Sequence, residues 1–273
     1  MKGQLASSAD PVGEVRVILA RLVAGVEQDL AGLPDRASDR VHDIRVRMKK
    51  FRALLAMLSG GLTGRTFERA DRLARDVKDH FSSSRDTEVL RELLLDLLNQ
   101  PEAISVAGGL GLPNAEEGPV SADPAVRATC RELGQMVINL RLSGQSWPLL
   151  FDGWVTTYRS ARKTMKLCSG NEDDFLFHEW RKRIKELLYQ SSVLCEFDPA
   201  AEIIPGAERL ASLLGKHHDL ALLHMEFSEK LPDHRAARIV HRKKHSLARS
   251  ALKLGARLLA EKPSTLRRRL AKR

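Results

Sequence analysis

The sequence predicts an all-α protein built from two related halves of about five helices each. Leu, Ala and Arg dominate and aromatic residues make up only 5%, a composition that favours helices over sheets. The stretch Val41 to Leu58 returns at Phe177 to Leu194, at an offset of 178 − 42 = 136 residues. With 273 residues, 43% of them hydrophobic, the chain can bury one large or two modest cores. We therefore expect an internally duplicated helical protein.

Helix start and stop signals divide both halves in a similar order. Asp10-Pro11 and Asp123-Pro124 are typical of an N-cap followed by a first-turn proline. The first half is predicted to have helices at about 11–30, 38–59, 66–81, 85–99 and 124–142, with the Gly- and Pro-rich segment 101–122 as a linker or loop. The second half is predicted to have helices at about 147–168, 173–197, 205–214, 219–229 and 232–261, and a solvated basic tail at Arg267 to Arg269.

Residues 1–143 and 144–273 are therefore expected to be two repeats within one domain. The repeated order of helices predicts two antiparallel bundles related by a pseudo-twofold axis. Equivalent helices would face each other across that axis, so the duplicated stretches would converge on one central groove.

Each copy of the duplicated stretch places basic residues beside an apolar face. At about 100° per residue, the first stripe covers an arc of about 80° next to the apolar residues Ile44, Met48 and Phe51. Its members are His42, Arg45, Lys49 and Arg52. The second stripe consists of His178, Arg181 and Lys185, with Tyr189 on the same side and Leu188 in place of the last cation. Cations beside a core are partly desolvated and repel one another, so we expect anions there.

The net charge of +10 and the pI of about 9.8 favour polyanionic partners, among them nucleic acid, acidic lipid and polyphosphate. Arg supplies bidentate hydrogen bonds to phosphate and Lys a mobile point charge. The alternative is that the stripe cations pair with Asp and Glu of neighbouring helices. The stripe histidines are either pH-dependent phosphate contacts or satisfied residues of a helix interface.

The motifs themselves closely resemble the CHAD family of histidine-containing α-helical domains. They are His-x-x-Arg-x-x-x-Lys-x-x-Arg from His42 to Arg52, and His-Glu-Trp-Arg-Lys-x-x-Lys followed by Tyr from His178 to Tyr189. The resemblance covers nearly the whole chain and implies two pseudo-symmetric bundles around a basic central groove that binds inorganic polyphosphate. Arg85-Asp86 is a pair that the family shares, whereas His218-Asp219 stands in the corresponding place of the second half.

The expected ligand is therefore inorganic polyphosphate, with other polyanions as further candidates. The residues expected to bind it are His42, Arg45, Lys49, Arg52, Arg85, Arg162, His178, Arg181, Lys182, Lys185, Tyr189, Arg238 and Arg242. Arg238 and Arg242 also begin a further basic stripe with His245 and Arg249. The sequence leaves open which of the outer cations reach the ligand.

No motif predicts catalysis or a cofactor. The sequence shows no nucleophile elbow, phosphate-binding loop or carboxylate cluster for phosphoryl transfer. Metal sites at His241 and His245, or at His217-His218-Asp219, are disfavoured, the first pair because cations surround it. We therefore expect a polyphosphate-binding or targeting module that is not an enzyme. The alternatives are a nucleic-acid-binding protein, which should carry base-stacking aromatics, and an enzyme acting on polyphosphate or nucleotides.

Cys130, Cys168 and Cys195 match no metal or redox motif and are expected to be reduced thiols, which predicts a cytoplasmic location. Neither a signal core nor an apolar run of membrane-spanning length is present in the sequence, so we expect a soluble protein without a membrane partner. A polyphosphate-binding module would associate with polyphosphate granules.

Overall fold

The computed structural model describes residues 9–81, 83–112, 123–143 and 146–271, and all their side chains except those of 83–88. These residues form α-helices and no strand, as the sequence predicts. The helices are α1 (Pro11–Ala31), α2 (Ala37–Met57), α3 (Gly64–Asp79), α4 (Ser83–Leu97), α5 (Gln100–Gly109), α6 (Pro124–Ile138), α7 (Trp147–Cys168), α8 (Asp174–Val193), α9 (Asp198–Lys230), α10 (Arg235–Leu258) and α11 (Pro263–Leu270).

Local capping explains where several helices begin. The Asp10 carboxylate accepts a hydrogen bond from the Gly13 amide at 2.8 Å, and Asp173 accepts one from the Phe175 amide at 2.8 Å. Such a cap satisfies an amide that the first helical turn leaves without a partner. The first residues of α1 and α7 lie 147 − 11 = 136 residues apart. The sequence offset therefore applies to the helices themselves.

The segment predicted as a linker begins with a helix instead. Asn99 caps α5 by accepting from the Glu102 amide at 3.0 Å, and Pro101 occupies its first turn. Ala103, Val106 and Ala107 are buried on one face, so tertiary packing stabilises a helix despite the Gly and Pro content. Residues 113–122 of the predicted linker lie outside the described residues.

Two further sequence predictions for the second half are wrong. The two short helices at 205–214 and 219–229 are one continuous helix, α9, with Pro205 inside its N-terminal part. Apolar burial continues on both sides of the proline, which outweighs its local cost. The basic tail is helix α11, which buries Leu266 and Leu270. Its Arg269 pairs with Glu202 at 2.6 Å and Glu261 at 2.9 Å.

Helix contacts define two groups that meet through α2 and α8. Helices α1, α2, α3 and α6 pack together, as do α7, α8, α9 and α10, and α2 packs directly on α8. The main apolar core contains buried residues from both groups. Gln190, which is fully buried, donates to the Ala53 carbonyl at 2.8 Å across the junction. The arrangement is compatible with the predicted pseudo-twofold axis.

A second, smaller core joins α4 and α5 to the second half of the chain. Its buried residues include Leu94 of α4 and Val106 of α5, packed with Leu223 and Phe227 of α9. Polar contacts reinforce this junction, because Lys230 donates to the Leu110 carbonyl at 2.8 Å. The hairpin of α4 and α5 therefore depends on α9 and α10 for its burial. Within the described residues, no helix combines the length and the apolar character that crossing a membrane requires.

Candidate functional site

The two helices that carry the stripes, α2 and α8, pack against each other. Lys49 and Arg45 precede the Ala53 contact by about 6 and 12 Å along α2, at about 1.5 Å per residue. Lys185 and Arg181 precede Gln190 by about 8 and 14 Å along α8 by the same measure. All four cations are half-buried. The two helices that carry these four cations, two from each half of the chain, are therefore in direct contact.

Neighbouring backbone helps to position the two stripe arginines. Arg45 donates through a guanidinium nitrogen to the Phe81 carbonyl, just after α3, at 2.7 Å. Arg181 lies beside α9 at Gly215, where an added Cβ would be 3.8 Å from its Nε. Arg45 is thus held by a backbone carbonyl, and Arg181 lies close to the helix that follows its own stripe helix. Guanidinium groups are suited to recognising phosphate.

A histidine pair marks the second stripe. The Nδ1 atoms of His178 on α8 and His218 on α9 lie 3.2 Å apart, so one ring donates and the other accepts. Burial lowers the pKa of His178, and Lys182, Arg181 and Lys78 lower it further. Lys78 belongs to α3, in the first half of the chain. Cations of both halves therefore create a positive potential at the same imidazole.

The same environment predicts a pH-dependent stability. Burial is the main reason that the pKa of His217 falls to about 4 and that of His218 to about 3. In the unfolded chain both titrate near 6.5, so the unfolded state binds more protons below that pH and folding is disfavoured. We expect the free energy of unfolding to decrease by a few kcal/mol between about pH 6.5 and 4.5, as measured by urea denaturation. A His218→Gln variant should show a shallower decrease, and an unchanged slope would contradict the assignment.

Arg52, the last member of the first stripe, makes an ion pair within the protein. Its guanidinium donates to Asp71 of α3 at 2.6 and 3.2 Å, and that pairing helps to lower the pKa of Asp71 against the effect of burial. Adding 136 to each number gives Leu188 and Ala207, which pack in the main core. An ion pair in one repeat thus corresponds to two apolar residues of the main core in the other.

This correspondence predicts how stability changes when Arg52 and Asp71 are replaced by the residue types of the second repeat. Arg52→Leu alone should cost about 1–3 kcal/mol, because Asp71 loses a charged hydrogen-bond partner. The double variant Arg52→Leu/Asp71→Ala should recover stability to within about 1 kcal/mol of the wild type, as measured by urea denaturation. If Arg52 contributes only to the stability of the fold, the affinity of the double variant for polyphosphate should change less than about threefold. A tenfold loss of affinity would instead identify Arg52 as a ligand contact.

The remaining stripe residues have varied surroundings. His42 is exposed and lines a cleft of about 450 Å³ together with Asp39, Asp43 and Glu92. Those carboxylates make the cleft itself unsuited to an anion. Tyr189 is partly buried, which raises the pKa of its hydroxyl, and Lys50 lies over its ring at 5.9 Å.

The other cations expected to bind the ligand differ in their exposure and in their partners. Lys182 is exposed and pairs with Glu179 at 2.6 Å. Arg162 donates to the Ala260 carbonyl at 3.5 Å, and Arg238 and Arg242 are exposed on α10. Arg85 lies in the first turn of α4, and its side chain is outside the described part of the structure.

Sequence reasoning missed Lys78. It also did not predict which side chains the other histidines contact. Lys78 lies outside the duplicated stretch, and only the tertiary structure shows that it acts on His178. The Nε2 atoms of His241 and His245 lie 3.0 Å apart. In the part of the chain that the structure describes, no group of three or more His, Cys, Asp or Glu side chains is arranged to hold a metal ion.

Comparison with known proteins assigns the family. The family model for the CHAD domain matches residues 16–228. The chain belongs to the CHAD family. The crystal structure of the CHAD domain from the plant Ricinus communis superimposes on this CHAD protein with a TM-score of 0.52. The match has 14% sequence identity and covers 95% of this chain and 91% of the plant chain, which supports the shared fold. No curated protein gives a significant match.

Proposed function

We propose that this CHAD protein binds inorganic polyphosphate at the junction of α2 and α8. The observation that carries the proposal is the direct packing of α2 on α8, the two helices that carry the half-buried cations Arg45, Lys49, Arg181 and Lys185. A phosphate chain would supply several negative charges to a region where half-buried cations repel one another. Arginine and lysine are both present, as recognition of successive phosphates requires.

The cations that, after burial, lower the pKa of His178 support the same proposal. A positive potential that disfavours an imidazolium will favour an anion by the same electrostatic interaction. A bound anion would in turn raise the pKa of His178, so polyphosphate should bind more tightly as the pH decreases below 7.

The tryptophans argue against nucleic acid as the preferred ligand, although Phe175 is 66% exposed. Trp154 and Trp180 are fully buried, and Trp147 packs against Phe151 and Phe197 at ring distances of 5.5 and 4.8 Å. Every tryptophan of the chain is thus engaged in packing. Proteins that bind single strands without sequence preference use exposed aromatic rings to stack the bases. The stripes favour a ligand made of phosphate alone.

A binding role, and not catalysis, is the function we propose. The protein would localise to polyphosphate, or organise it, in the cytoplasm and at polyphosphate granules. The stripes provide cations and imidazoles for binding, and the proposal assigns no residue to bond breaking.

Calorimetric titration tests the ligand. The protein is titrated near physiological salt with long-chain polyphosphate, single-stranded DNA and duplex DNA, all matched in phosphate concentration. We expect polyphosphate to bind at least tenfold more tightly than either nucleic acid. Equal affinities would reduce the stripes to a general basic surface and overturn the proposal.

A further inference from the structure

Helix α10 carries cations that the rest of the protein does not neutralise. Its 24 residues contain eight Lys and Arg and no Asp or Glu. Two of the eight are used internally, because Lys244 pairs with Asp174 at 2.7 Å and Arg235 pairs with Glu102. The other six are exposed and have no carboxylate within 4.0 Å among the described residues. They are Arg238, Arg242, Lys243, Arg249, Lys253 and Arg257.

Four of these cations form a straight row on the outer side of the helix. At about 100° per residue, Arg238, Arg242, Arg249 and Lys253 fall within an arc of about 60° and span about 22 Å along the axis. We call these four the α10 row. The opposite face of the helix is buried, as shown by Val240, Ala251 and Gly255. The α10 row therefore faces away from the core, unlike the half-buried cations of the stripes.

The charge of the whole chain is concentrated in the same half. Residues 1–143 contain 20 Lys and Arg against 20 Asp and Glu, whereas residues 144–273 contain 25 against 15. The net charge of +10 thus arises entirely in the second half.

Elsewhere an exposed helical cation is often paired one turn away, as Arg75 is with Asp71. Like charges at i and i+4, such as Arg238 and Arg242, instead destabilise a helix.

We propose that the α10 row is a second polyphosphate-binding surface, separate from the stripes, so that one protein molecule bridges two polyphosphate chains. The proposal rests on the proposed function. Besides the cations, the exposed residues of the helix are His241, Ser246, Ser250 and Ala256. None of them is an Asn, a Gln or a Phe, Tyr or Trp ring that would read or stack on a base, and the His241 ring lies against that of His245 at a centroid distance of 4.3 Å. The row is therefore suited to a chain of bare phosphates more than to nucleic acid.

Two binding surfaces would let one protein molecule cross-link polyphosphate chains, which a single surface cannot do. Each polyphosphate chain offers many equivalent sites, so a protein with two surfaces links chains into a network. Cross-linking is greatest when protein and phosphate charges are comparable and disappears when excess chain occupies each surface separately. The expected sign is turbidity that rises and then falls as long-chain polyphosphate is added.

The test compares the full chain with two variants of equal net charge. The first, Arg242→Gln/Arg249→Gln/Lys253→Gln, removes three charges of the row, which leaves 10 − 3 = +7. The second, Arg16→Gln/Arg21→Gln/Arg131→Gln, removes three exposed cations of α1 and α6 and also leaves +7. All six sites are exposed, so circular dichroism should show both variants folded. Turbidity with long-chain polyphosphate, the affinity for a short chain and the affinity for duplex DNA are measured for each.

We expect the row variant to lose at least fivefold in maximal turbidity while its affinity for the short chain changes less than about threefold. The control variant should match the wild type in both. Equal turbidity of the two variants would overturn the bridging surface, as would a row variant that loses duplex DNA binding but keeps its turbidity with polyphosphate. Failure of the proposed function is distinguishable, because it would appear as weak short-chain binding by the wild type itself.

Discussion

Removing the four cations at the junction of α2 and α8 should weaken polyphosphate binding by about a thousandfold. The variant is Arg45→Ala/Lys49→Ala/Arg181→Ala/Lys185→Ala. A charged hydrogen bond to phosphate at a half-buried site contributes about 1 kcal/mol or more. Four such contacts amount to about 4 kcal/mol, which corresponds to about three orders of magnitude in Kd. Calorimetry or competition with a labelled short chain at constant salt measures the change.

A variant of equal charge separates direct contact from the general field of a basic protein. Arg16, Arg21, Arg65 and Arg131 are exposed and lie outside the duplicated stretch, and changing all four to Ala leaves the same net charge of 10 − 4 = +6. Long-range attraction depends on net charge and is screened by salt. We expect the affinity of this control to stay within about threefold of the wild type. Equal losses in both variants would show that the stripes contribute only to that field.

Replacing Gly153 by Ala should strongly destabilise the fold. A Cβ at this position would lie 2.1 Å from the carbonyl oxygen of Met57 and 2.8 Å from its Cα. The obstacle is backbone, so no side-chain rotation relieves it, and α7 must move away from the end of α2. We expect a loss of about 3 kcal/mol or more in the free energy of unfolding. Thermal or urea denaturation followed by circular dichroism measures it.

The matched control is Gly134→Ala, also within a helix. Its Cβ would lie 3.6 Å from a methyl group of Val23, which is an ordinary contact. An alanine here should stabilise the protein by up to about 1 kcal/mol, because it restricts the unfolded chain and favours helix. Wild-type stability in Gly153→Ala would contradict the close approach of α7 and α2.

Much of the fold follows from local signals in the sequence. The N-cap and first-turn proline at Asp10-Pro11 and the apolar spacing of the stripe helices predict α1, α2 and α8 to within a few residues. The offset of 136 residues predicts that the halves correspond, and α1 and α7 begin at that separation. Caps and periodicity act within a few turns of helix, so they can be read from sequence alone.

The remainder depends on contacts between distant residues. Nothing near Arg52 in sequence indicates that Asp71 will neutralise it, and Lys78 acts on His178 from another repeat. Likewise Pro205 would end an isolated helix, but burial of the residues on both sides preserves α9. The family motifs identify which cations to test, while only the tertiary structure shows the ion pair of Arg52 with Asp71.

The smaller core is completed late in the synthesis of the protein. Leu94 and Val106 share their core with apolar residues of α9 and α10, which leave the ribosome later. At about 5–20 residues per second, the nascent chain exposes this apolar surface for several seconds or longer before its partner helices emerge. During that time the hairpin is a target for chaperones and for aggregation with other nascent chains. Conditions that slow translation of the second half should therefore lower the soluble yield, even for a sequence whose finished fold is stable.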